Sequence, residues 1–384
     1  MTGESSSSRP MGGSGKQRAR MQDGLPPQPP DLKTDDVVIA VMGVTGSGKT
    51  TFVNHFADYE LEVGHGLDSC TQSVQVVPCT LPGRKRIYLA DTPGFDDSLR
   101  TDSEILRLVA AWLNQAHKSH IKLTGIVYLH RILDVKVGGS GVKNLRMFKR
   151  LCGDDGLKSV CLVTTMWETT SKEIAETRES ELQNKAVFWK PMIDQGSKVF
   201  RQDSGQTSGL KILKYLIDRK QPVTLDIQRE MVDQNLQLGQ TGAGAEVASE
   251  VEKAKQYYDK RLKELQDELA EALSKQDHDR KEEIEEAKAE FESRIQRGQD
   301  ELRRMQANSE QLYEEMKQRH EKEMEEMVKS IREKELAIQE SRTQVNMLKE
   351  SHEKDMELQK MRLQLQWKEK YYKMMYGSIG CVVM

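Results

Sequence analysis

No apolar run in the chain approaches the roughly 18 residues that a helical membrane span needs, and the N-terminus has no apolar stretch of the kind a secretory signal requires. The opening Met1-Thr2-Gly3 places threonine where N-myristoylation needs glycine. The five cysteines, Cys70, Cys79, Cys152, Cys161 and Cys381, form no CxxC pair and no metal pattern with histidine. Free thiols in a reducing cytosol are therefore expected. The formal net charge of −3 supplies no basic excess, so nucleic acid is not the expected partner. Proline is missing after Pro222, the last of ten.

What is present falls into segments. Residues 1–35 are rich in Ser, Gly, Pro and basic residues and bury too little apolar surface to offset their ordering entropy. Residues 36–222 alternate short apolar runs with amphipathic stretches, the pattern of βαβ units around a mostly parallel α/β sheet. Strands are predicted over 37–42, 73–77, 86–90, 125–129, 160–164 and 198–200. Helices are predicted over 49–57, 103–116, 141–151, 172–188 and 210–218. Residues 223–245 read as a linker. From 246 to 376 the chain is dense in charge, and apolar residues recur at steps of three and four. Tyr258, Leu262, Leu265 and Leu269 are followed by Phe291, Ile295, Leu302, Met305, Leu312 and Met316. That spacing predicts a long α-helical coiled coil pairing with a second copy or another helix. Arg280, Gly298, Ser309 and His320 interrupt the seam, and Gly298 costs roughly 1 kcal/mol of helix propensity.

The octapeptide Gly43-Val44-Thr45-Gly46-Ser47-Gly48-Lys49-Thr50 fits the pattern G-x-x-x-x-G-K-S/T between an apolar strand and a helix. Glycines there let backbone N–H groups curl around phosphates. Lys49 neutralises the β- and γ-phosphates, and Thr50 offers its hydroxyl to Mg²⁺. The helix beginning at Lys49 points its positive end at the same anions. The octapeptide and Thr51 are thus the candidate nucleotide contacts. Asp91-Thr92-Pro93-Gly94 directly follows the strand predicted at 86–90. Asp91 is a candidate Mg²⁺ partner through water, and the Gly94 N–H a candidate donor to the γ-phosphate. Thr71, with Ser69 and Ser73 as rivals, is the candidate for a hydroxyl that meets Mg²⁺ only when a γ-phosphate is present. After the fifth strand the chain reads Thr164-Thr165-Met166-Trp167-Glu168, where a guanine site normally reads Asn-Lys-x-Asp. The Glu168 carboxylate could accept from guanine N1–H and N2–H₂, Thr165 flanks the base, and Trp167 either stacks on it or packs into the fold.

These segments, with Leu129-His130-Arg131-Ile132-Leu133-Asp134, resemble the septin-related P-loop GTPases, the immunity-associated and avirulence-induced group with the chloroplast import receptors. The resemblance covers roughly residues 36–220 and is strongest to fungal members with a G domain followed by a coiled coil. It implies GTP as ligand with Mg²⁺, and a G domain that dimerises when GTP is bound, often on a membrane surface. Phe95 occupies the place of the glutamine that orients water in Ras-like proteins, so hydrolysis is slow or another group helps. Related GTPases take such a group from a facing protomer. Arg131 and Arg100 are the candidates, with an ion pair between Arg131 and Asp134 as the structural alternative. Residues 377–384 end in Cys381-Val382-Val383-Met384, a C-a-a-X signal whose terminal Met favours farnesyl. The expectation is a homodimeric GTPase switch or scaffold held at the cytosolic face of a membrane. Two alternatives stay open: a coiled-coil scaffold that binds nucleotide without turnover, and an ATPase.

Overall fold

The computed structural model of the chain describes residues 32–61, 73–83, 85–97, 100–134, 139–274 and 278–376. Thr71, Ser69, the N-terminal 1–31 and the Cys381 signal lie outside the described residues. The chain divides into two compact units, Met1–His320 and Glu321–Met384.

The first unit is built on a six-stranded sheet of order β2-β3-β1-β4-β5-β6. Its strands are β1 (Val38–Gly43), β2 (Gln75–Leu81), β3 (Lys85–Asp91), β4 (Leu123–Arg131), β5 (Val160–Thr165) and β6 (Lys198–Arg201). All pairings are parallel except β2 with β3. β1 reads as an unbroken apolar run because both its faces are covered. Val38, Ala40 and Met42 point into one core layer and Ile39 and Val41 into the other. The second layer is closed by α1 (Lys49–Asn54) and α6 (Gln206–Arg219) through Phe52, Val53, Leu213 and Leu216. The first is closed by α2 (Asp102–Lys118), α3 (Gly139–Leu157, broken at Gly153), α4 (Lys172–Asn184) and the short α5 (Lys190–Asp194). Thr101 caps α2 by accepting from the Glu104 N–H at 3.3 Å. β2 runs past Pro78, beyond its predicted end at residue 77. A proline is tolerated there because β2 is an edge strand. Cys79, Cys152 and Cys161 are buried, and burial pushes all three thiols well above the usual range.

Residues 223–245 are not a linker. The Val223 N–H donates to Leu123 O at 2.8 Å, extending the contacts of β4. Leu225, Ile227, Met231 and Leu238 are buried in the same layer as α2 and α3. α7 (Asp226–Gln228) carries a buried amide with both ends satisfied: Gln228 Nε2 donates to Leu113 O at 2.7 Å and Oε1 accepts from Leu225 N–H at 2.9 Å. The polar, glutamine-rich composition conceals the apolar side chains that fasten this segment.

The helical region expected over 246–376 is present, and part of it pairs helix against helix within the chain. The region holds α8 (Gly242–Ser274), α9 (His278–Arg304) and α10 (Ser309–Tyr376). α8 and α9 pack antiparallel within one chain: Val251 lies beside Gly298, the Tyr258 ring stacks on Phe291 at 5.6 Å, and Glu268 meets Arg280 at 3.7 Å. Leu265, Ala272 and Ile284 form their own small core. Most of the stripe legible in the sequence is therefore used inside this hairpin. Gly298, a flaw in a heptad seam, allows close approach instead, since a Cβ there would lie 3.3 Å from Val251. The hairpin seats on the G domain. Val247, Met305, Ala307 and Leu312 join the α2–α3 core, Arg146 pairs with Glu246 at 3.2 Å, and Arg304 pairs with Glu104 at 3.0 Å.

The described residues of the second unit are the remainder of α10. Its large apolar side chains, among them Ile338, Val345, Leu348 and Trp367, are exposed. No helix among the described residues is long and apolar enough to cross a membrane.

Candidate functional site

The loop between β1 and α1 lies at the C-terminal end of the central strand, where parallel sheets place ligands. Gly46 and Gly48 take φ of 74° and 88°, left-handed values that glycine adopts without strain. Lys49 is buried and its ammonium donates to Val44 O at 2.9 Å. Burial lowers its pKa to about 8 against the opposing attraction of Asp91 and Asp97, with Arg131 adding to the decrease. The Ser47 hydroxyl is fully buried with no hydrogen-bond partner. A buried donor without an acceptor suits an anion's oxygen.

β3 delivers Asp91 to the same place, since its register aligns Asp91 with Val41 of β1. Thr50 Oγ1 donates to Asp91 Oδ2 at 2.8 Å, and Asp91 is buried. Two hard oxygens side by side fit Mg²⁺, which binds through one or two protein oxygens plus phosphate and water. When bound, the ion would neutralise charge on the phosphates. Among the described residues no group of three or more His, Cys, Asp or Glu is placed to hold a metal ion. Gly94 abuts the loop so closely that a Cβ on it would lie 2.5 Å from Thr45 Oγ1. Phe95 bridges Val44 in parallel fashion and is wholly buried.

On the base side the residues separate. Thr165 is buried and its hydroxyl donates to Ser47 O at 3.0 Å and to His130 O at 3.3 Å. It is a strut between β5 and the phosphate loop, and its hydroxyl proton is committed within the fold. Trp167 packs: Nε1 donates to Thr164 Oγ1 at 3.0 Å, and the Arg201 guanidinium lies 4.2 Å from its ring centre. Glu168 is exposed in a short turn that follows Met166 with φ 62°. Arg201 also grips the buried Glu179, which accepts from Thr164 Oγ1 at 3.2 Å. Arg201→Met should lower stability by about 2 kcal/mol, less than a fully buried pair because the arginine is partly exposed. Chemical denaturation of both proteins measures this.

Arg131 stands over its own phosphate loop: a Cβ on Gly46 would lie 3.1 Å from Arg131 Nη1. It pairs with Asp134 at 3.1 Å, the structural alternative named above. His130 is buried, its pKa pushed down to about 4 by desolvation, with its ring edge toward Trp189 at 5.8 Å. It is a neutral packing residue. One contact escaped the sequence reading: Thr45 Oγ1 donates to Asp97 Oδ2 at 3.3 Å. The second acid of Phe95-Asp96-Asp97 was its only signal.

A phosphate loop on the central strand, a lysine beneath it and a threonine–aspartate pair beside it define a P-loop G domain. Residues 38–165 match the family model described as 50S ribosome-binding GTPase, and this part of the chain is a P-loop GTPase G domain. Among solved structures, the chain is similar to Toc33 from Arabidopsis thaliana in complex with GDP and Mg²⁺, at 15% identity and a TM-score of 0.40, covering 50% of this chain and 88% of that one. It is similar to Era from Aquifex aeolicus bound to GDP.AlF4-, at 13% identity and a TM-score of 0.36, covering 48% and 57%. It is also similar to the elongation factor SelB from Methanococcus maripaludis, at 15% identity and a TM-score of 0.32, covering 49% and 34%. No curated protein matches the chain in a sequence comparison.

Proposed function

We propose that this protein binds GTP with Mg²⁺ and hydrolyses it slowly, as a switch or scaffold of the septin-related type. The observation that carries the reading is the Thr50–Asp91 pair at 2.8 Å beside the buried Lys49. Lys49 and the loop N–H groups hold the phosphates, and Thr50 and Asp91 hold the ion. Glu168 supplies the acceptor that distinguishes guanine from adenine, which has no matching pair of donors. Self-association through 321–376 is part of the proposal, supported by Ile331, Ile338 and Val345 at heptad spacing. Two prenyl groups on Cys381 of paired chains would then hold the membrane where one does so only marginally.

The test is equilibrium binding of labelled GTP to the purified full chain, with unlabelled GTP and ATP as competitors, with and without Mg²⁺. GTP should compete at least tenfold better than ATP, and Glu168→Ala should erase most of that difference. Equal competition by ATP would refute the guanine assignment. A second reading, a nucleotide-binding scaffold without turnover, is favoured by the buried Phe95, which has no group to orient water. Turnover measured across protein concentration separates the two: a specific rate that rises with concentration supports an enzyme activated by self-association.

A further inference from the structure

The segment after Gly94 is shaped to return a carboxylate to the phosphate loop. Phe95 is pinned from both sides of its backbone: its carbonyl accepts from Thr45 N–H at 2.8 Å, and its N–H donates to Gly43 O at 3.3 Å. The ring stays in the core and has no hydrogen-bonding group to offer a water. Asp96 takes a left-handed φ of 59°, and its N–H donates to Asp102 Oδ1 at 3.1 Å. That turn brings Asp97 back over the loop, half-exposed, where Thr45 Oγ1 donates to it at 3.3 Å. Its charge reaches the Lys49 ammonium.

We propose that the Asp97 carboxylate, seated by Thr45, orients the water that attacks the γ-phosphate. The inference rests on the GTP reading above. A γ-phosphate held between the Lys49 ammonium and the Gly94 N–H has Thr45 as its immediate neighbour, because Thr45 and Gly94 are in contact. Asp91 is engaged with Thr50, whereas Asp97 meets the loop at Thr45. The water's oxygen forms a bond to the γ-phosphorus while the bond from that phosphorus to the β–γ bridging oxygen breaks. The electron pair of the broken bond leaves on GDP. One proton of the water passes through Asp97 to a phosphate oxygen, so the products are GDP and inorganic phosphate. Two negative groups so close repel one another. Lys49 and Arg131, both beside the loop, offset that repulsion. Arg131 thereby has a role within its own chain.

The experiment compares single-turnover GTP hydrolysis by the full chain with that of Asp97→Asn, Asp97→Glu and Thr45→Val. Affinity for a non-hydrolysable GTP analogue and thermal unfolding are measured on each. Asp97→Asn should slow hydrolysis by about 10²-fold, the usual worth of a positioned base, with analogue affinity changed less than about threefold. Asp97→Glu should recover part of the rate, and Thr45→Val should lose about tenfold, since it removes only the seat. Unchanged hydrolysis by Asp97→Asn overturns the proposal. So does tighter analogue binding without slower cleavage, which would make Asp97 a repulsive gate. A wild-type chain that binds the analogue but never cleaves GTP also overturns it, leaving the nucleotide reading intact. A chain that binds no triphosphate removes both.

Discussion

Lys49→Met should reduce GTP affinity by about 10²-fold, the order expected when a charge-assisted contact of roughly 3 kcal/mol is lost. The variant should nonetheless fold at least as well as the native chain. Burial depresses the Lys49 pKa to about 8 from its ordinary 10.5, so between those values the unfolded chain holds a proton that the folded one has released. Stability attributable to this group therefore rises with pH through that window, and below it the buried charge is a cost that methionine removes. Binding carries the opposite sign. A triphosphate favours the ammonium, so GTP affinity should be level below about pH 8 and fall by about tenfold per pH unit above it. Lys49→Met should abolish that slope. Calorimetric titration from pH 6.5 to 9.5 measures both effects. A native affinity that ignores pH, or a variant that binds as well as the native chain, would remove the lysine from the site.

A chain ended at Pro222 should fail to fold stably, although the sequence draws the domain boundary there. Val223, Leu225, Ile227, Met231 and Leu238 are buried in the G-domain core. At about 1.5–3 kcal/mol for each buried side chain, their loss is worth on the order of 10 kcal/mol, comparable with a whole domain's stability. Val247, Met305 and Leu312 would go with them. Urea denaturation of the shortened and full-length proteins, followed by tryptophan fluorescence, tests this. Coincident, equally cooperative transitions would show that the G domain ends where its prolines do.

The parts of the fold that were legible are those where burial leaves a simple mark. β1 and β5 lie inside the sheet with both faces covered, so they show as apolar runs. α2 announces itself by its amphipathic apolar pattern. The phosphate loop was legible because left-handed turns under a phosphate restrict the residue types at fixed places. What was hidden depends on partners distant in sequence. Tyr258, Leu265 and Phe291 showed that a stripe exists, but periodicity does not say which helix covers it, and the cover proved to be α9 of the same chain. Leu225, Ile227 and Leu238 are set among polar residues, so composition suggested a tether. Thr165 stood where a base contact belongs, yet its hydroxyl spans two backbones. Asp97 matters through a turn at Asp96 whose φ no pattern of letters discloses.

The buried thiols have a practical corollary. Cys79 sits on β2, Cys161 on β5 and Cys152 on α3, all sealed in the G domain and held protonated. Alkylating reagents attack the thiolate and need access to it. These side chains can therefore be modified only after the surrounding layers separate. They form a clock distributed across the sheet, and the order in which they react under mild denaturant would record which edge opens first.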